Sequence, residues 1–260
     1  MDGSAAGLRR DRPVSRVIEV MGAPAELFGY ADDAYFQDAQ VHAQHNPVLT
    51  SAALGIPRGG VVVDVGANIG LLMLGVARAA WPARYIAAEP SPMAQAALSM
   101  NAATNGVAGF ELIPCALGRE TGEVRFNERD FLAGSHRCDG GALTVPVRTL
   151  DDVADDLALD RLDLLKIDVE GMEADVLEGA ADTLRRFRPT VVVEFCSYTL
   201  SAHGGRSPMA VAETLMRLGG GGFYALRGGE TVRVQSRDDA RLFLLQNMMA
   251  VTEDVWFDAA

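Results

Sequence analysis

The apolar positions of this chain fall in short continuous runs rather than in strict alternation. Val61-Val62-Val63-Asp64-Val65 sets four valines around one aspartate, and Arg84–Ala88, Leu162–Asp168 and Pro189–Phe195 are further runs of this kind. Such runs, bounded by turn residues, predict strands buried on both faces, as in a parallel sheet. Helical stretches lie between them. Gly70–Ala80 follows the first run. Ser91-Pro92 opens a second helix, with serine as N-cap and proline in the first turn, and Asn105-Gly106 stops it. Phe110–Gly118 reads as a third strand with its exit loop. The order strand–helix–strand–helix–strand predicts a parallel sheet with right-handed crossovers.

Residues 119–150 break this rhythm. Gly122–Phe126 and Leu143–Val147 read as short strands flanking a Gly-, Asp-, Arg- and Ser-rich loop over 127–141, a small β insertion after strand 3. Thr149 caps a short acidic helix. Leu162–Asp168 is the fourth strand, Glu173–Arg188 its helix, and Pro189–Phe195 the fifth strand. Pro208–Leu218 is helical. After Gly219–Gly222 come Phe223–Leu226 and Thr231–Val234, with Arg241–Leu245 read as the last strand. Residues 1 to about 15 are small and charged and read as a mobile end. Residues 16–58 read as one or two helices ahead of the sheet. Without a repeat or linker, the expectation is one domain: an N-terminal helical extension over 1–57 packed on a core over 58–260.

Composition narrows the function. The 260 residues carry 23 Lys and Arg against 35 Asp and Glu, a formal charge of −12. Neutralising phosphates needs clustered basic residues, so neither a nucleic acid nor an anionic membrane surface is an expected partner. Cys115, Cys138 and Cys196 are far apart and lack CxxC spacing, which predicts reduced thiols and a cytoplasmic location. The N-terminus has no apolar leader, and no apolar run approaches the roughly 20 residues of a membrane span.

The chemistry begins at Gly66-Ala67-Asn68-Ile69-Gly70. Strand, glycine turn and helix start together present backbone N–H groups and a helix dipole to a ligand. A dinucleotide fingerprint needs a second glycine where this chain has Asn68, which disfavours a pyrophosphate. A nucleoside without phosphates remains compatible, and S-adenosylmethionine is the common one. Its amino-acid end is expected by the loop backbone, with Asp64 meeting its ammonium directly or through water. Glu89, at the end of the second strand, is placed to accept from both ribose hydroxyls.

Four blocks in this order carry a resemblance: Asp64-Val-Gly-Ala-Asn-Ile-Gly70, Glu89-Pro90, Lys166-Ile-Asp168-Val-Glu170-Gly171-Met-Glu173, and Glu194-Phe195. Together they resemble the FkbM family of S-adenosylmethionine-dependent methyltransferases. The resemblance spans about residues 58–200. It implies a Rossmann-like class I α/β fold: a mostly parallel seven-stranded sheet with a terminal antiparallel hairpin and helices on both faces. It implies methyl transfer, usually to a hydroxyl of a sugar, polyketide or similar secondary metabolite. It also implies an adenine pocket beyond strand 3, at Ala116 and Leu117, with Pro90 and Ser91 lining the nucleoside on the other side. Ala116 and Leu117 read equally well as helix-packing residues.

An alcohol acceptor must lose its proton during attack, which a nearby carboxylate or histidine assists. Asp168 ends the fourth strand and is expected to face the methyl group. Glu194 ends the fifth strand. Glu170 and Glu173 follow at a helix start, where acids are stabilised by the dipole without any catalytic role. Lys166 reads as pairing with an acid or extending its amine to water. A divalent cation on Asp168 and Glu194 is the weaker alternative to a metal-free site, because their neighbours supply no further oxygen ligands. His203, in a glycine-rich loop after strand 5, is the first histidine expected as a base, ahead of His45 and His136. His42 and His45 share one helix face. Tyr35, Phe36, Phe131 and Tyr198 are candidate walls of an acceptor pocket.

The expected partner is a small-molecule acceptor, and a homodimer through the N-terminal helices is compatible with the sequence. N- or C-methylation is the nearest alternative function, because a donor site says nothing about the acceptor atom. An NAD-dependent oxidoreductase and a non-catalytic relative are further alternatives. The first is opposed by Asn68, the second by the retained acids.

Overall fold

The structure, a computed structural model, describes residues 12–44, 46–80, 82, 84–127, 136–137, 143–227, 229–247 and 253–260. The chain opens with a hairpin, β1 (Val14–Val20) and β2 (Ala23–Gly29), followed by three short helices, α1 (Ala34–Gln37), α2 (Ala39–Gln44) and α3 (Pro47–Gly55). The expected helix over this stretch is therefore half wrong. Ile18 and Val20, then Ala25 and Leu27, alternate with exposed or partly exposed positions, and Met21 and Gly22 turn through positive φ of 49° and 75°. That is a period of two closed by a tight turn, a hairpin signal hidden among patchy apolar residues.

The central elements follow in order: β3 (Val61–Val65), α4 (Leu71–Ala79), β4 (Arg84–Ala88), α5 (Pro92–Thr104) and β5 (Phe110–Ile113). Next come β6 (Ala116–Leu117), β7 (Gly122–Asn127), β8 (His136–Arg137), β9 (Leu143–Arg148) and α6 (Leu150–Asp156). The remainder is β10 (Leu164–Ile167), α7 (Glu173–Glu178), α8 (Ala181–Phe187), β11 (Thr190–Phe195), α9 (Ser197–Ala202), α10 (Pro208–Leu218), β12 (Phe223–Arg227), β13 (Glu230–Val234), α11 (Arg237–Asn247) and β14 (Glu253–Asp258).

The main sheet has the order β13-β12-β14-β11-β10-β3-β4-β5. Five strands from β11 to β5 run parallel; β14 and β13 run against them, and β12, antiparallel to both, runs with them. This is a doubly wound α/β sheet, whose strand order reverses between β3 and β10. The expected seven strands are present, and β13 adds an eighth at the edge. A separate small sheet, β6-β9-β7-β8, is the insertion after β5.

Two elements differ from the sequence expectation near the C-terminus. Arg241–Leu245 belongs to helix α11, and the last strand is β14. Leu-Phe-Leu-Leu has strand-like composition, yet only Ala240, Phe243 and Asn247 of α11 are buried, a spacing of three to four residues. The helix expected over Glu173–Arg188 is split into α7 and α8 around Gly179. A Cβ at Gly179 would stand 2.0 Å from the Gly118 carbonyl oxygen, so the backbones touch there.

The sheet separates two cores. Val61, Val63, Val65, Leu165, Ile167, Val191 and Val193 face one, which α6, α7, α8 and α10 cover. Val62, Tyr85, Ala87, Leu164 and Val192 face the other, with Met73, Leu74 and Leu98 and with Ile18 and Leu27 of the hairpin. Because side chains alternate along a strand, Asp64 and Lys166 share the face of Val62 and Leu164. That is the face over which the N-terminal segment packs. Asn101, fully buried in α5, clamps the hairpin there: its Nδ2 donates to the Phe28 and Ile69 carbonyls, and its Oδ1 accepts from Phe28 N. Arg78 of α4 donates to the carbonyls of Val20, Ala23 and Pro24. No helix among the described residues is long and apolar enough to cross a membrane.

Candidate active site

The carboxyl ends of β3, β4, β10 and β11 open into one cavity of about 890 Å³, with α1, α2 and α3 as part of its wall. The turn after β3 is held by backbone contacts. Gly66 and Ala67 both donate to the Ala88 carbonyl at 2.9 and 3.3 Å. Gly66 and Gly70 have φ of 77° and 87°, and Asn68 between them has φ of 50°, a conformation a side chain rarely takes. A Cβ on Gly70 would stand 2.5 Å from Leu98, so the helix start is pressed against α5.

Each acid reaches the cavity in its own way. Glu89 is 5% exposed, and its two carboxylate oxygens accept one backbone N–H each, from Asn68 at 2.9 Å and Ser91 at 2.8 Å. A carboxylate has roughly four lone-pair sites, so two remain for hydroxyl donors. Burial pushes its pKa up to about 7, against the two backbone donors. Asp64 lines the same cavity. It is 1% exposed, accepts from the Tyr85 hydroxyl at 2.6 Å, and lies 3.3 Å from Lys166 Nζ. A lysine of this chain thus faces it as well, while its Oδ1 accepts no hydrogen bond among the described residues.

Lys166, the register partner of Asp64 in β10, is the centre of the arrangement. Its ammonium donates to the Gly66 carbonyl at 3.0 Å and lies 3.2 Å from Asp168 Oδ2. Burial works against its charge, but Asp168 and Asp64 outweigh it and hold its pKa above the ordinary lysine value. One side chain thus ties the glycine turn to both strand-end acids.

Asp168, Glu170 and Glu194 each place a carboxylate oxygen within 4.8 Å of the others. Glu170 lines the cavity from a residue with φ of 55°, a conformation rare for a residue with a side chain. Burial, then Asp168 and Glu170, push Glu194 well above the usual carboxylate range, and it shares a hydrogen bond with Asp168. Burial raises Glu170 to about 7, with Asp168 and Glu173 adding to it. Lys166, 3.2 Å from Asp168 Oδ2, offsets part of this crowding. The structure adds Glu170 to the Asp168–Glu194 pair as the groups that would hold a cation. Glu173 is separate in kind: it is 1% exposed, and its Oε1 accepts from Val169 N and Gly171 N, so it caps its own loop. Burial raises it to about 7 as well.

These shifts have a sign. A carboxyl near 7 in the fold and near 4.5 unfolded keeps its proton only when folded, so stability is lost as pH rises from about 4.5 through 7. For Glu89 alone the loss is roughly 3 kcal/mol. The ligand-free chain is therefore expected to melt several degrees lower at pH 8 than at pH 5.5. Calorimetric scans at the two values check this, and an equal or higher Tm at pH 8 would reject it.

Pro90, Ala116 and Leu117 line the same cavity, together with Cys115 and Phe126. Ser91 lies just outside it as the N-cap of α5, its Oγ accepting from Ala94 N. The histidines fall elsewhere than expected. His203 caps α9 with its Nδ1 3.1 Å from the Glu170 carbonyl oxygen and its ring edge-on to Tyr198, and it is not among the residues lining the cavity. His45 lies outside the described residues, and His136 is described only as the backbone of β8. The histidine that does line the cavity is His42, stacked on Tyr35 with ring centroids 4.6 Å apart. Of the candidate aromatic walls, Tyr35 is in place. Phe36 is buried beneath Gly29, Tyr198 is 61% exposed on the surface, and Phe131 lies outside the described residues. Sequence reasoning also missed Asp254 of β14. It pairs in register with Glu194, lines the cavity, and accepts from Asn46 Nδ2 at 2.5 Å. Its only sequence signal is an acid in a short apolar run.

Comparison with known proteins agrees with this geometry. The family model described as the methyltransferase FkbM domain matches residues 64–220. Methyltransferase sdnD of Sordaria araneosa is 30% identical over 201 residues, covering 62% of this chain and 78% of that protein. Methyltransferase 1 of Beauveria bassiana is 28% identical over 184 residues, covering 62% and 71%. The 31-O-demethyl-FK506 methyltransferase FkbM of Streptomyces tacrolimicus is 32% identical over 160 residues, covering 48% and 60%. The family model takes in more than half of the chain, from the first acid of the glycine turn to beyond the fifth parallel strand, and the chain belongs to the family of FkbM methyltransferase domains.

Proposed function

We propose that this chain is an S-adenosylmethionine-dependent O-methyltransferase acting on a hydroxyl of a small molecule. The observation that carries the reading is the single cavity that joins a glycine turn and Glu89 to the acids Asp168, Glu170 and Glu194. The donor fits the first half. Asn68 and Asp64 line the cavity, each with a buried Oδ1 that accepts no hydrogen bond among the described residues, and Glu89 keeps lone pairs for two ribose hydroxyls. Asn68, Gly66 and Ala67 would hold the amino-acid end, and Pro90, Ala116 and Leu117 the adenosine. Gly70, packed on Leu98, and Ser91, capping α5, would hold the helix starts that frame it. The volume, near the upper end for small-molecule pockets, leaves space for an acceptor as well.

When bound, S-adenosylmethionine supplies an electrophilic methyl carbon; an acceptor oxygen forms the new C–O bond, the S–C pair stays on sulfur, and the acceptor proton goes to a carboxylate. The residues of this chain position the acceptor and take that proton. Asp168, ion-paired to Lys166 and hydrogen-bonded to Glu194, is the base we assign. The acidic lining favours a donor that carries a sulfonium charge. A proton-accepting carboxylate supports oxygen as the acceptor atom, in keeping with the 31-O position in the name of the Streptomyces relative.

Calorimetry with S-adenosylhomocysteine tests the reading. Saturable binding to the folded chain is expected. Glu89→Gln is expected to weaken it about 10- to 100-fold, since hydrogen bonds to a charged group contribute roughly 1.5–3 kcal/mol each. Absence of binding to folded wild-type protein would sink the proposal, and an unchanged affinity in Glu89→Gln would remove Glu89 from the donor site.

A further inference from the structure

Tyr35 lies outside residues 64–220, the span that carries the family likeness. It is nevertheless built into the cavity. Asp33, fully buried, caps α1 by accepting from Tyr35 N and Phe36 N at 3.2 and 3.3 Å, which fixes where the next residues point. Phe36 anchors the turn against Gly29, where a Cβ would stand 2.3 Å from its ring. Arg16 of the hairpin donates to the Phe36 and Gln37 carbonyls at 3.2 and 2.7 Å. The His42 ring lies against the Tyr35 ring at an interplanar angle of 28°. Asn46, bonded to Asp254 opposite Glu194, ties the same segment to the strand ends. Tyr35 and His42 are thereby held over the sheet face that carries Asp64, Lys166 and Glu194.

Resting on the methyl-donor reading above, we propose that Tyr35 is a positioning residue at the point of methyl transfer, its phenol holding the acceptor hydroxyl beside Asp168 while His42 braces the ring. Burial, and the charges of Asp168, Asp64 and Glu194 against that of Lys166, push the Tyr35 phenol above its ordinary pKa. It keeps its proton and orients an oxygen rather than acting as the base. The family core then supplies the donor half and the proton acceptor. The N-terminal segment supplies the group that meets the acceptor, which makes it the part of the chain that selects hydroxylated acceptors.

The test uses the full chain and S-adenosylmethionine labelled with ¹³C at the methyl carbon. In wild type, the bound methyl resonance is expected to be displaced by the Tyr35 ring. Tyr35→Leu removes that displacement, and Tyr35→Phe, which retains ring and packing, gives a smaller shift from loss of the hydroxyl. S-adenosylhomocysteine affinity stays at the wild-type level in both. A methyl resonance unmoved in Tyr35→Phe and Tyr35→Leu, with the donor bound normally, would overturn the proposal. A loss of S-adenosylhomocysteine affinity in Tyr35→Phe would assign Tyr35 to the donor half and also overturn it. No donor binding by wild type would overturn the methyl-donor reading itself, and this proposal with it.

Discussion

Replacing Lys166 by methionine is expected to destabilise the chain by about 3–5 kcal/mol, the usual cost of removing one member of a buried ion pair. Methionine matches the stem in length and fills the same space, so the loss is electrostatic. Asp64, 1% exposed, loses its cation and keeps only the Tyr85 hydroxyl. Asp168 loses its counter-ion, and the Gly66 carbonyl loses its donor. For a chain of this size each kcal/mol moves Tm by roughly 2–4 °C, so thermal denaturation should fall by about 10 °C. Asp64→Asn in the Lys166→Met background should recover part of that loss, because it removes the stranded charge. A Tm within a degree or two of wild type for Lys166→Met would mean that Lys166 does not neutralise these acids. Donor affinity gives a second readout: the turn that Lys166 ties down loosens, and S-adenosylhomocysteine binding weakens with it.

Gly66→Ala is expected to act as strongly, for a steric reason. The added Cβ would stand 1.8 Å from the Asp168 carbonyl oxygen, which is backbone and cannot rotate away. The φ of 77° adds roughly 1–3 kcal/mol of strain for any residue with a side chain. The turn must move away from β10, taking Asn68 and its bond to Glu89 with it. Donor binding should become undetectable in calorimetry, with a marked loss of Tm. Gly55→Ala is the control. It ends α3 outside the cavity lining, where an added Cβ meets nothing within 4 Å, and alanine favours the helix. Wild-type donor affinity in Gly66→Ala would show that the two strand ends are not in register as described.

The central part of the fold is legible because local and global preferences agree there. Val61–Val65 is buried at every position, and a run of valines has no other comfortable place. Ser91-Pro92 and Thr149 cap the helices they announce, with hydrogen bonds to Ala94 N and Asp152 N. Arg241–Leu245 misled because its composition suits a strand, while capping at Ser236 and Asp239 and one buried face decide for a helix. The candidate site divides in the same way. Glu89, Asp168 and Glu194 stand at the ends of recognisable strands, so their convergence follows from a parallel sheet. Asp254 and Tyr35 reach the cavity only through long-range packing, β14 beside β11 and α1 over the sheet face, which no spacing along the chain encodes. Asp64 reads as ligand-facing in a motif. It does line the cavity, and its alternation onto the face of Lys166 gives it an internal partner as well, which the motif alone does not show.

The position of β14 sets a condition on how this protein comes to be made. It lies between β11 and β12, so the final strand of the sheet enters an interior slot rather than an edge. While residues 253–258 are still on the ribosome, β11 has no partner on that side and the β12–β13 hairpin has nothing to dock against. Asn46 waits for Asp254 through more than 200 residues of translation. Non-local closure of this kind is slow and leaves strand edges exposed in the meantime. The acid-lined cavity thus stays open beside β11 until β14 is in place, long after the glycine turn that forms its other side has been made.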